Sequence, residues 1–345
     1  MRAALLFLVL NAALAAQTLP TIAVLATGGT IASRQNLMQG TALPSLSGSE
    51  LVAAVPALQK VARIQTEQVA TVGSRDMTPA IWLRLVARVN DLLALPEIAG
   101  VVITHGTDTL EETAYFLDLT VRSTKPVVIV ASQRPASDSD SDGPRNLLDA
   151  VRVAASSEAQ GKGVVVVLNG QINAARDVTK THTSQVETFR SLEFGELGIV
   201  DSQTVRFYRA PLRRQTIALR PQTTLPRVEI VYSYAGADGR LIRALLKDAD
   251  VAGIVVAGLG LGNVPQGVAE AIAEARRQGM PVVIGTRVLS GRVFSLGDGA
   301  SSAIGLQKIG CVLADNLNPQ KARVLLMLGL TVSKDPAVLQ KYFDN

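Results

Sequence analysis

The sequence IAVLATGGT spans residues 22–30 and gives the clearest indication of the fold. Its first five residues are all apolar, which is typical of a strand covered on both faces of a parallel sheet. The two glycines that follow let the backbone turn tightly and bring N–H groups close to a ligand. The stretch therefore predicts a buried strand that ends in a polar turn, Thr27–Thr30.

Similar apolar runs recur along the first half of the chain, at Val101–Thr104, Val127–Ala131 and Val164–Leu168. Longer amphipathic stretches separate them. Thr78-Pro79 supplies an N-cap and a first-turn proline for a helix that extends to about residue 93. Thr109, followed three residues later by a glutamate, predicts a capping box ahead of a helix over residues 114–121. This alternation of strands and helices predicts an α/β fold with a doubly wound parallel sheet.

The pattern stops near residue 205 and restarts near residue 228. Residues 205–227 carry prolines and basic residues without a clear period, so they are predicted to form a linker. A chain of 345 residues also favours two domains. We therefore predict a larger N-terminal doubly wound parallel-sheet domain over residues 17–204 and a smaller C-terminal α/β domain over residues 228–345. The segments that carry the second prediction are Val228–Tyr232, Ile254–Ala257, Val282–Ile284 and the helical Val268–Gln278.

The N-terminus has the order of a signal peptide. Arg2 precedes an apolar run over residues 3–14, and small residues follow at Ala13, Ala15 and Ala16. This order predicts a signal peptide over residues 1–16, cleaved near Ala15 or Ala16, and a periplasmic or secreted mature chain. The run is shorter than the ~20 residues that a membrane span needs. No membrane association is expected after cleavage.

Composition disfavours several classes of function. One cysteine and two histidines leave a metal site without its preferred ligands, so neither a metal nor a cofactor is expected. The formal net charge is +5, but basic residues do not alternate with aromatics, so no nucleic-acid partner is expected. A nucleotide-binding protein is a further alternative. However, neither phosphate-loop motif is present, and Gly258–Asn263 misses the dinucleotide pattern by one position.

Three polar loops follow the predicted strands where each strand ends, at Thr27–Thr30, His105–Asp108 and Ser132–Pro135. The carboxyl ends of parallel strands share one edge of a sheet, and ligands bind in the crevice there. The loops are rich in hydroxyl groups and glycine. They therefore predict a ligand pocket at this edge, without yet naming its chemistry.

Thr107-Asp108 and Lys180 form a second candidate constellation. A threonine hydroxyl is unreactive at neutral pH until a base takes its proton. A lysine amine can act as that base once burial favours its neutral form, and a nearby carboxylate can orient the ammonium form. His105 and His182 are expected to fix their loops by hydrogen bonds rather than to act as bases.

Several motifs together resemble bacterial type II (exported) L-asparaginases, the glutaminase-asparaginase family. The likeness covers essentially the whole predicted mature chain. The motifs are TGGTIA at residues 27–32, GSRDM at residues 73–77, ITHGTDTLEET at residues 103–113, DVTKT at residues 177–181 and NPQKARVLL at residues 318–326.

The resemblance implies an amidohydrolase that splits L-asparagine, with L-glutamine as a second small-molecule substrate and no cofactor. It implies that Thr30 is the acylated nucleophile, with backbone N–H groups around it as a candidate oxyanion hole. Thr107, Asp108 and Lys180 match a second triad that either activates water for deacylation or assists the attack. The substrate-binding positions that it implies are Gly29, Ser74, Arg75, Gly106, Ser132, Asn263 and Asp298.

The resemblance also implies a homotetramer built from intimate dimers, with the sites at the intimate dimer interface. Asn263 and Asp298 match residues of the C-terminal domain that complete the site of the neighbouring subunit. Ser132 matches a residue whose backbone carbonyl meets the side-chain amide of the substrate. Ser74 and Asp108 match the groups that hold the α-carboxylate and α-amine.

The chain departs from the family pattern at three positions. The loop Ser33–Ser49 contains no tyrosine, although the family has one there that hydrogen-bonds the nucleophile. Arg75 replaces the usual glutamine, and Asp298 replaces the more usual glutamate. These departures leave two alternatives open. One is an amino-acid-binding protein that has lost turnover, and the other is a hydrolase of a different amide, in a peptide or on a tRNA.

Overall fold

The computed structural model describes residues 19–36, 41–212, 216–220, 222–294, 296–297 and 299–344. The predicted signal peptide, residues 1–16, and its cleavage site near Ala15 or Ala16 therefore lie outside the described residues. The same holds for Asp298 and for residues 37–40 of the loop Ser33–Ser49. Among the described residues, no helix combines the length and the apolar character needed to cross a membrane.

Twelve of the described strands belong to the first two thirds of the chain. In chain order they are β1 Thr21–Gly28, β2 Ser33–Asn36, β3 Thr41–Pro44, β4 Arg63–Val72, β5 Ile98–Thr104, β6 Val127–Val130, β7 Val164–Leu168, β8 Gln171–Ala174, β9 Thr179–Lys180, β10 Phe189–Arg190, β11 Gly198–Val200 and β12 Val205–Phe207.

Eight of these strands form one sheet, in the order β12-β11-β8-β7-β6-β5-β1-β4. The five strands from β7 to β4 run parallel, and the remaining three continue antiparallel at one edge. The chain moves from β1 to β4 on one side and then to β5 on the other. This reversal places a topological switch point between β1 and β5, where ligands bind in open α/β sheets.

Nine described helices complete the fold. They are α1 Gly48–Ala53, α2 Pro79–Ala94, α3 Leu110–Thr120, α4 Gly143–Ala155, α5 Arg240–Leu245, α6 Gln266–Arg277, α7 Ala303–Lys308, α8 Pro319–Gly329 and α9 Pro336–Asp344.

Alternate residues of β1 face opposite sides of the large sheet. Ala23 and Leu25 join the core under α2 and α3, whereas Ile22 and Val24 join the core under α1 and α4. Strand side chains alternate with a period of two, so an all-apolar strand can supply both cores at once. Helices thus cover both faces, which confirms the predicted doubly wound fold class.

The smaller, C-terminal domain holds a four-stranded parallel sheet in the order β13-β14-β15-β16. Its strands are β13 Arg227–Tyr232, β14 Val251–Gly258, β15 Val282–Thr286 and β16 Val312–Leu313. Val205–Phe207 lie within the predicted linker, but they form β12 and pair antiparallel with β11. Their short alternating pattern gave no apolar run that could have identified a strand.

Two helix starts test the predicted caps. Thr78 accepts a hydrogen bond from the Ile81 N–H at the start of α2, as predicted. The capping box predicted at Thr109 is wrong, since its side chain makes no cap hydrogen bond to α3. The Thr109 hydroxyl instead donates to the Ser74 carbonyl at 2.7 Å. A contact from another loop has therefore replaced a local cap.

Candidate active site

Two glycines bring the loops after β1 and β5 into direct contact. Gly29 has a φ of +82°, and a Cβ added there would lie 2.2 Å from the Gly106 amide nitrogen. A Cβ on Gly106 would in turn lie 2.8 Å from the Ser74 Oγ. No side chain fits at either glycine. Because Thr30 and Thr107 directly follow these glycines, the backbone contact places the two threonines on neighbouring loops at the switch point.

Lys180 joins this site through its amine. The Lys180 Nζ donates to the Thr107 Oγ1 at 2.8 Å and to the Asp108 Oδ1 at 2.9 Å. Thr107 is buried, and the Lys180 side chain is only 17% exposed, whereas the Asp108 side chain is 60% exposed. The Asp108 carboxylate therefore binds the Lys180 ammonium from the exposed side of the site, and the Thr107 hydroxyl binds it from the buried side. A neutral amine in the same place could accept the Thr107 proton.

Ser74 ties a third loop to the site. It lies in a short 3-10 turn after β4 and is buried. Its Oγ accepts from the Asp108 backbone N–H at 3.0 Å, and its carbonyl accepts from the Thr109 hydroxyl. These two bonds fix the Ser74 hydroxyl beside Asp108, so a hydroxyl and a carboxylate lie next to each other at the site.

His105 is buried behind the site and fixes the loop, as predicted. Its Nδ1 lies 2.7 Å from the Gly106 carbonyl, and its Nε2 lies 3.0 Å from the Thr113 Oγ1. The Gly106 carbonyl can only accept, so the Nδ1 of the ring carries a proton and donates to it. In the neutral ring the Nε2 then accepts from the Thr113 hydroxyl, which itself accepts from the Trp82 indole N–H. Burial lowers the His105 pKa to about 4, which keeps the ring neutral at physiological pH.

Asp142 and Asn146 shape the Ser132 loop. The Asp142 carboxylate accepts from the backbone N–H groups of Gln133 and Arg134, and Asn146 donates to the Ala131 carbonyl. Ser132 itself is fully buried. A Cβ on Gly143 would contact both Ile31 and Ser132, so this loop packs beside the turn that carries Thr30.

Thr30 begins a 3-10 turn, Thr30–Ala32, and is partly buried. The Ser33 hydroxyl donates to the Gly29 carbonyl, which holds the turn closed. The Gly29 N–H donates to the Val72 carbonyl at 3.0 Å. That amide is therefore occupied, and a different group must supply any oxyanion donor beside Thr30.

The remaining predicted positions are not gathered here. The Arg75 side chain is 70% exposed and pairs with Asp76 at 3.6 Å, so it points towards solvent. Asn263 is exposed at the end of β14 in the smaller domain, where its backbone pairs with Leu259. Asp298 lies outside the described residues. Within the described ranges, no group of three histidine, cysteine, aspartate or glutamate side chains could hold a metal.

Sequence reasoning missed three residues that support the site. Thr109 was assigned to a cap, although its hydroxyl lies two residues after Thr107. Lys321 is fully buried in α8, although lysine is usually exposed. The signal was its position, since Ala322, Val324 and Leu325 around it are apolar and a charge on such a helix face is unusual. Glu111 is also buried, and its carboxylate faces α8.

The fold and the site together define a class, a two-domain α/β enzyme whose pocket presents hydroxyl and amine groups at a parallel-sheet switch point. Comparison with known protein families identifies this class more closely. Residues 21–213 match the family described as "Asparaginase, N-terminal", and residues 227–343 match "Glutaminase/Asparaginase C-terminal domain". This chain belongs to the asparaginase family, which confirms the resemblance seen in its motifs.

Individual relatives match over nearly their whole length. "Probable L-asparaginase periplasmic" of Haemophilus influenzae is 43% identical, covering 96% of this chain and 94% of that protein. "L-asparaginase 2" of Escherichia coli is 42% identical, covering 100% of this chain and 98% of that protein. The crystal structure titled "Probable Cytoplasmic L-asparaginase" from Campylobacter jejuni is 41% identical, with a TM-score of 0.86, covering 94% of this chain and 99% of that one.

Proposed function

We propose that this chain hydrolyses L-asparagine to L-aspartate and ammonia through an acyl group carried by Thr30. The observation that carries the proposal is the pair of bonds from the Lys180 amine to Thr107 and Asp108. The loop that carries Thr107 and Asp108 contacts the loop that carries Thr30 through the backbones of Gly29 and Gly106, at the switch point of the large sheet. Family membership supports the same reaction.

The proposed reaction has two steps. The Thr30 oxygen attacks the side-chain amide carbon, its proton is transferred to the leaving nitrogen, and ammonia departs. Water then attacks the resulting ester, the threonine oxygen recovers a proton, and aspartate is released. Lys180 and Thr107 relay protons in one or both steps, because their bond joins a hydroxyl to an amine in a largely buried position. No metal or cofactor is needed in either step.

Substrate recognition follows from the same loops. Ser74 and Asp108 bind the α-carboxylate and α-amine, and the Ser132 loop meets the side-chain amide. Glutamine differs from asparagine by one methylene, which a pocket discriminates by only about 1–3 kcal/mol. Secondary glutaminase activity is therefore part of the proposal.

The assembly and location are proposed on separate grounds. We propose a homotetramer of intimate dimers in which Asn263 and Asp298 complete the neighbouring subunit's site. The segment after β15 binds the turn that precedes Asn263 through the Thr286 hydroxyl, and it continues into the exposed side chains of Val288 at 48% and Leu289 at 58% exposure. Such a patch favours a protein interface.

A periplasmic location, after removal of residues 1–16, is supported by the order of the N-terminal sequence and by the name of the Haemophilus relative.

Ammonia release by the purified protein tests the proposal. Asparagine should be hydrolysed, with glutamine slower, and Thr30→Val should abolish turnover because it removes the hydroxyl and preserves the shape. Thr66→Val is the matched control, since this exposed threonine lies on β4 away from the site. Turnover by Thr30→Val would remove the assigned nucleophile.

A second candidate is an amino-acid-binding protein without turnover, favoured by the absence of a tyrosine from Ser33–Ser49. Losing one acid–base partner costs about 10²–10⁴-fold in rate. Calorimetry would decide between the two functions. Binding of asparagine without any ammonia release supports the binding protein, and measurable turnover supports the enzyme.

A further inference from the structure

The strand that carries Lys180 is short. β9 is two residues long and pairs with the two residues of β10, and the Thr181 N–H and hydroxyl extend this pairing to the Thr188 carbonyl. Ladders this short are marginal in water. The preceding turn is held from within by the N–H groups of Asp177 and Val178, which both donate to the Ala174 carbonyl. Carbonyls of this segment that face the interior need a partner from another element, because buried backbone acceptors are rarely left unpaired.

Lys321 of α8 supplies that contact. Its Nζ donates to the Arg176 carbonyl at 2.8 Å and to the Val178 carbonyl, two residues before Lys180. The Lys321 side chain is only 2% exposed. Burying an ammonium is costly unless it is hydrogen-bonded. Burial lowers the Lys321 pKa to about 8, opposed by the nearby charges of Glu111 and Asp177.

The first turn of α8 also binds α3, the helix that follows Thr107 and Asp108. Glu111 lies in the first turn of α3, three residues after Asp108, and is buried. Its two carboxylate oxygens accept from the side-chain amides of Asn318 and Gln320, each at 3.1 Å. Consequently, the first turn of α8 contacts both the helix that follows Thr107-Asp108 and the segment that precedes Lys180.

We propose that the first turn of α8 is a clamp that sets the separation between the Lys180 amine and the Thr107 hydroxyl. Lys321, Asn318 and Gln320 are its positioning residues, and none of them touches the substrate. The inference rests on the proposed hydrolysis of asparagine and extends it to residues of the C-terminal domain. A buried lysine among apolar neighbours would otherwise be replaceable by methionine without loss.

Steady-state kinetics of Lys321→Met test the clamp. The variant should lower kcat about 10- to 100-fold, because a misplacement of about 1 Å costs that much, and leave KM within about twofold. Gln320→Ala removes one neutral donor from a half-buried position and should lower kcat about fivefold. Lys341→Met, at an exposed lysine of α9, is the matched control and should be unchanged.

A double-mutant cycle separates positioning from general damage to the fold. If Lys321 acts through Lys180, then Lys180→Met/Lys321→Met should be no slower than Lys180→Met alone. An equal fall in kcat in both backgrounds overturns the clamp, as does an unchanged kcat in Lys321→Met.

Hydrogen exchange gives a readout that needs no turnover. Lys321→Met should speed the exchange of backbone amides over residues 174–182, and Lys341→Met should not. Unchanged exchange over residues 174–182 in Lys321→Met overturns the clamp. A wild-type chain that releases no ammonia overturns the proposed hydrolysis instead. Because hydrogen exchange needs no turnover, the two failures can be told apart.

Discussion

Lys180 binds two acceptors of one short loop, and their surroundings differ. The buried Thr107 hydroxyl offers a proton path, and the exposed Asp108 carboxylate offers a fixed negative charge. Either feature alone is common on protein surfaces. Together, at a sheet switch point, they make this lysine the residue on which the proposed proton transfers depend.

Two substitutions of Lys180 distinguish a proton carrier from a fixed charge. Lys180→Met should lower kcat by about 10²–10⁴-fold, since it removes an acid–base partner. Lys180→Arg should not restore activity, because a guanidinium stays charged and cannot accept a proton. Steady-state ammonia release measures both. Full activity in the arginine variant would show that positive charge alone is sufficient.

Gly29 makes a steric prediction at the same scale. Gly29→Ala should prevent normal folding or abolish activity, because its Cβ would overlap the Gly106 backbone and its φ is +82°. Gly161→Ala is the matched control, since Gly161 has a φ of +70° but open space around it. The control should cost only about 1–2 kcal/mol for the left-handed conformation. Thermal unfolding checks both, and equal stabilities would contradict the proposed close contact of the loops.

At the scale of elements, α3 and α8 join the two domains through buried charges. Glu112 of α3 faces Arg323 of α8 at 3.8 Å, and Glu111 lies beside it. Burial raises the Glu112 pKa to about 7, with Arg323 opposing the shift. A helix pair that buries titratable groups makes folding depend on pH.

Glu112→Gln should remove part of that dependence. Because the folded-state pKa exceeds the ordinary 4.5, the folded state binds the extra proton between these values. The stability that the protonated Glu112 carboxyl contributes is fully present below about pH 4.5 and is lost as pH rises through about 7. Relative to wild type, Glu112→Gln should therefore gain ~2 kcal/mol between pH 5.5 and 8.

Denaturant unfolding at the two pH values measures this gain. Glu97→Gln, at an exposed glutamate, is the control and should show no such trend. Parallel pH profiles for wild type and Glu112→Gln would contradict the buried position of the carboxyl.

Elements were predictable where burial was complete. β1, β5, β6 and β7 each contain an unbroken apolar run because both of their faces are covered, so their sequences alone identified them. β4 was missed because it forms the sheet edge, and all ten positions of its sequence RIQTEQVATV are partly buried or exposed. β12 and the Thr109 contact were missed for a related reason, since their conformations depend on partners that are distant in sequence.

At the scale of the whole molecule, the described residues show no hydrogen bond from Asn263 to the Thr107–Lys180 pair, although α8 of the same smaller domain contacts the segments beside that pair. Thr30, Thr107 and Lys180 lie at the edge of the large sheet, and Asn263 lies at the edge of the small one. Thr30, Thr107 and Ser132 follow predicted strands and could be placed at one edge of the sheet from sequence, whereas Ser74 was implied by the family resemblance alone. The position of Asn263 relative to a neighbouring subunit rests on the family resemblance and remains a proposal.

Subunit mixing tests that proposal. Alone, Thr30→Val chains should be inactive and Asn263→Ala chains weakly active. Co-expressed, they should recover activity, because a mixed dimer contains one site with neither substitution. Ammonia release by the purified mixed assembly measures the recovery. A mixture no more active than the average of the two variants would contradict sites shared between subunits.

A crystal structure of the protein with L-aspartate bound would show directly whether Thr30 is the nucleophile. The side-chain carboxyl carbon should lie within roughly 3–3.5 Å of the Thr30 Oγ1, the distance of a near-attack arrangement. Ser74 and Asp108 should then bind the α-groups, and Arg75 should remain directed to solvent. A product held away from Thr30, or closest to a different nucleophile, would contradict the account.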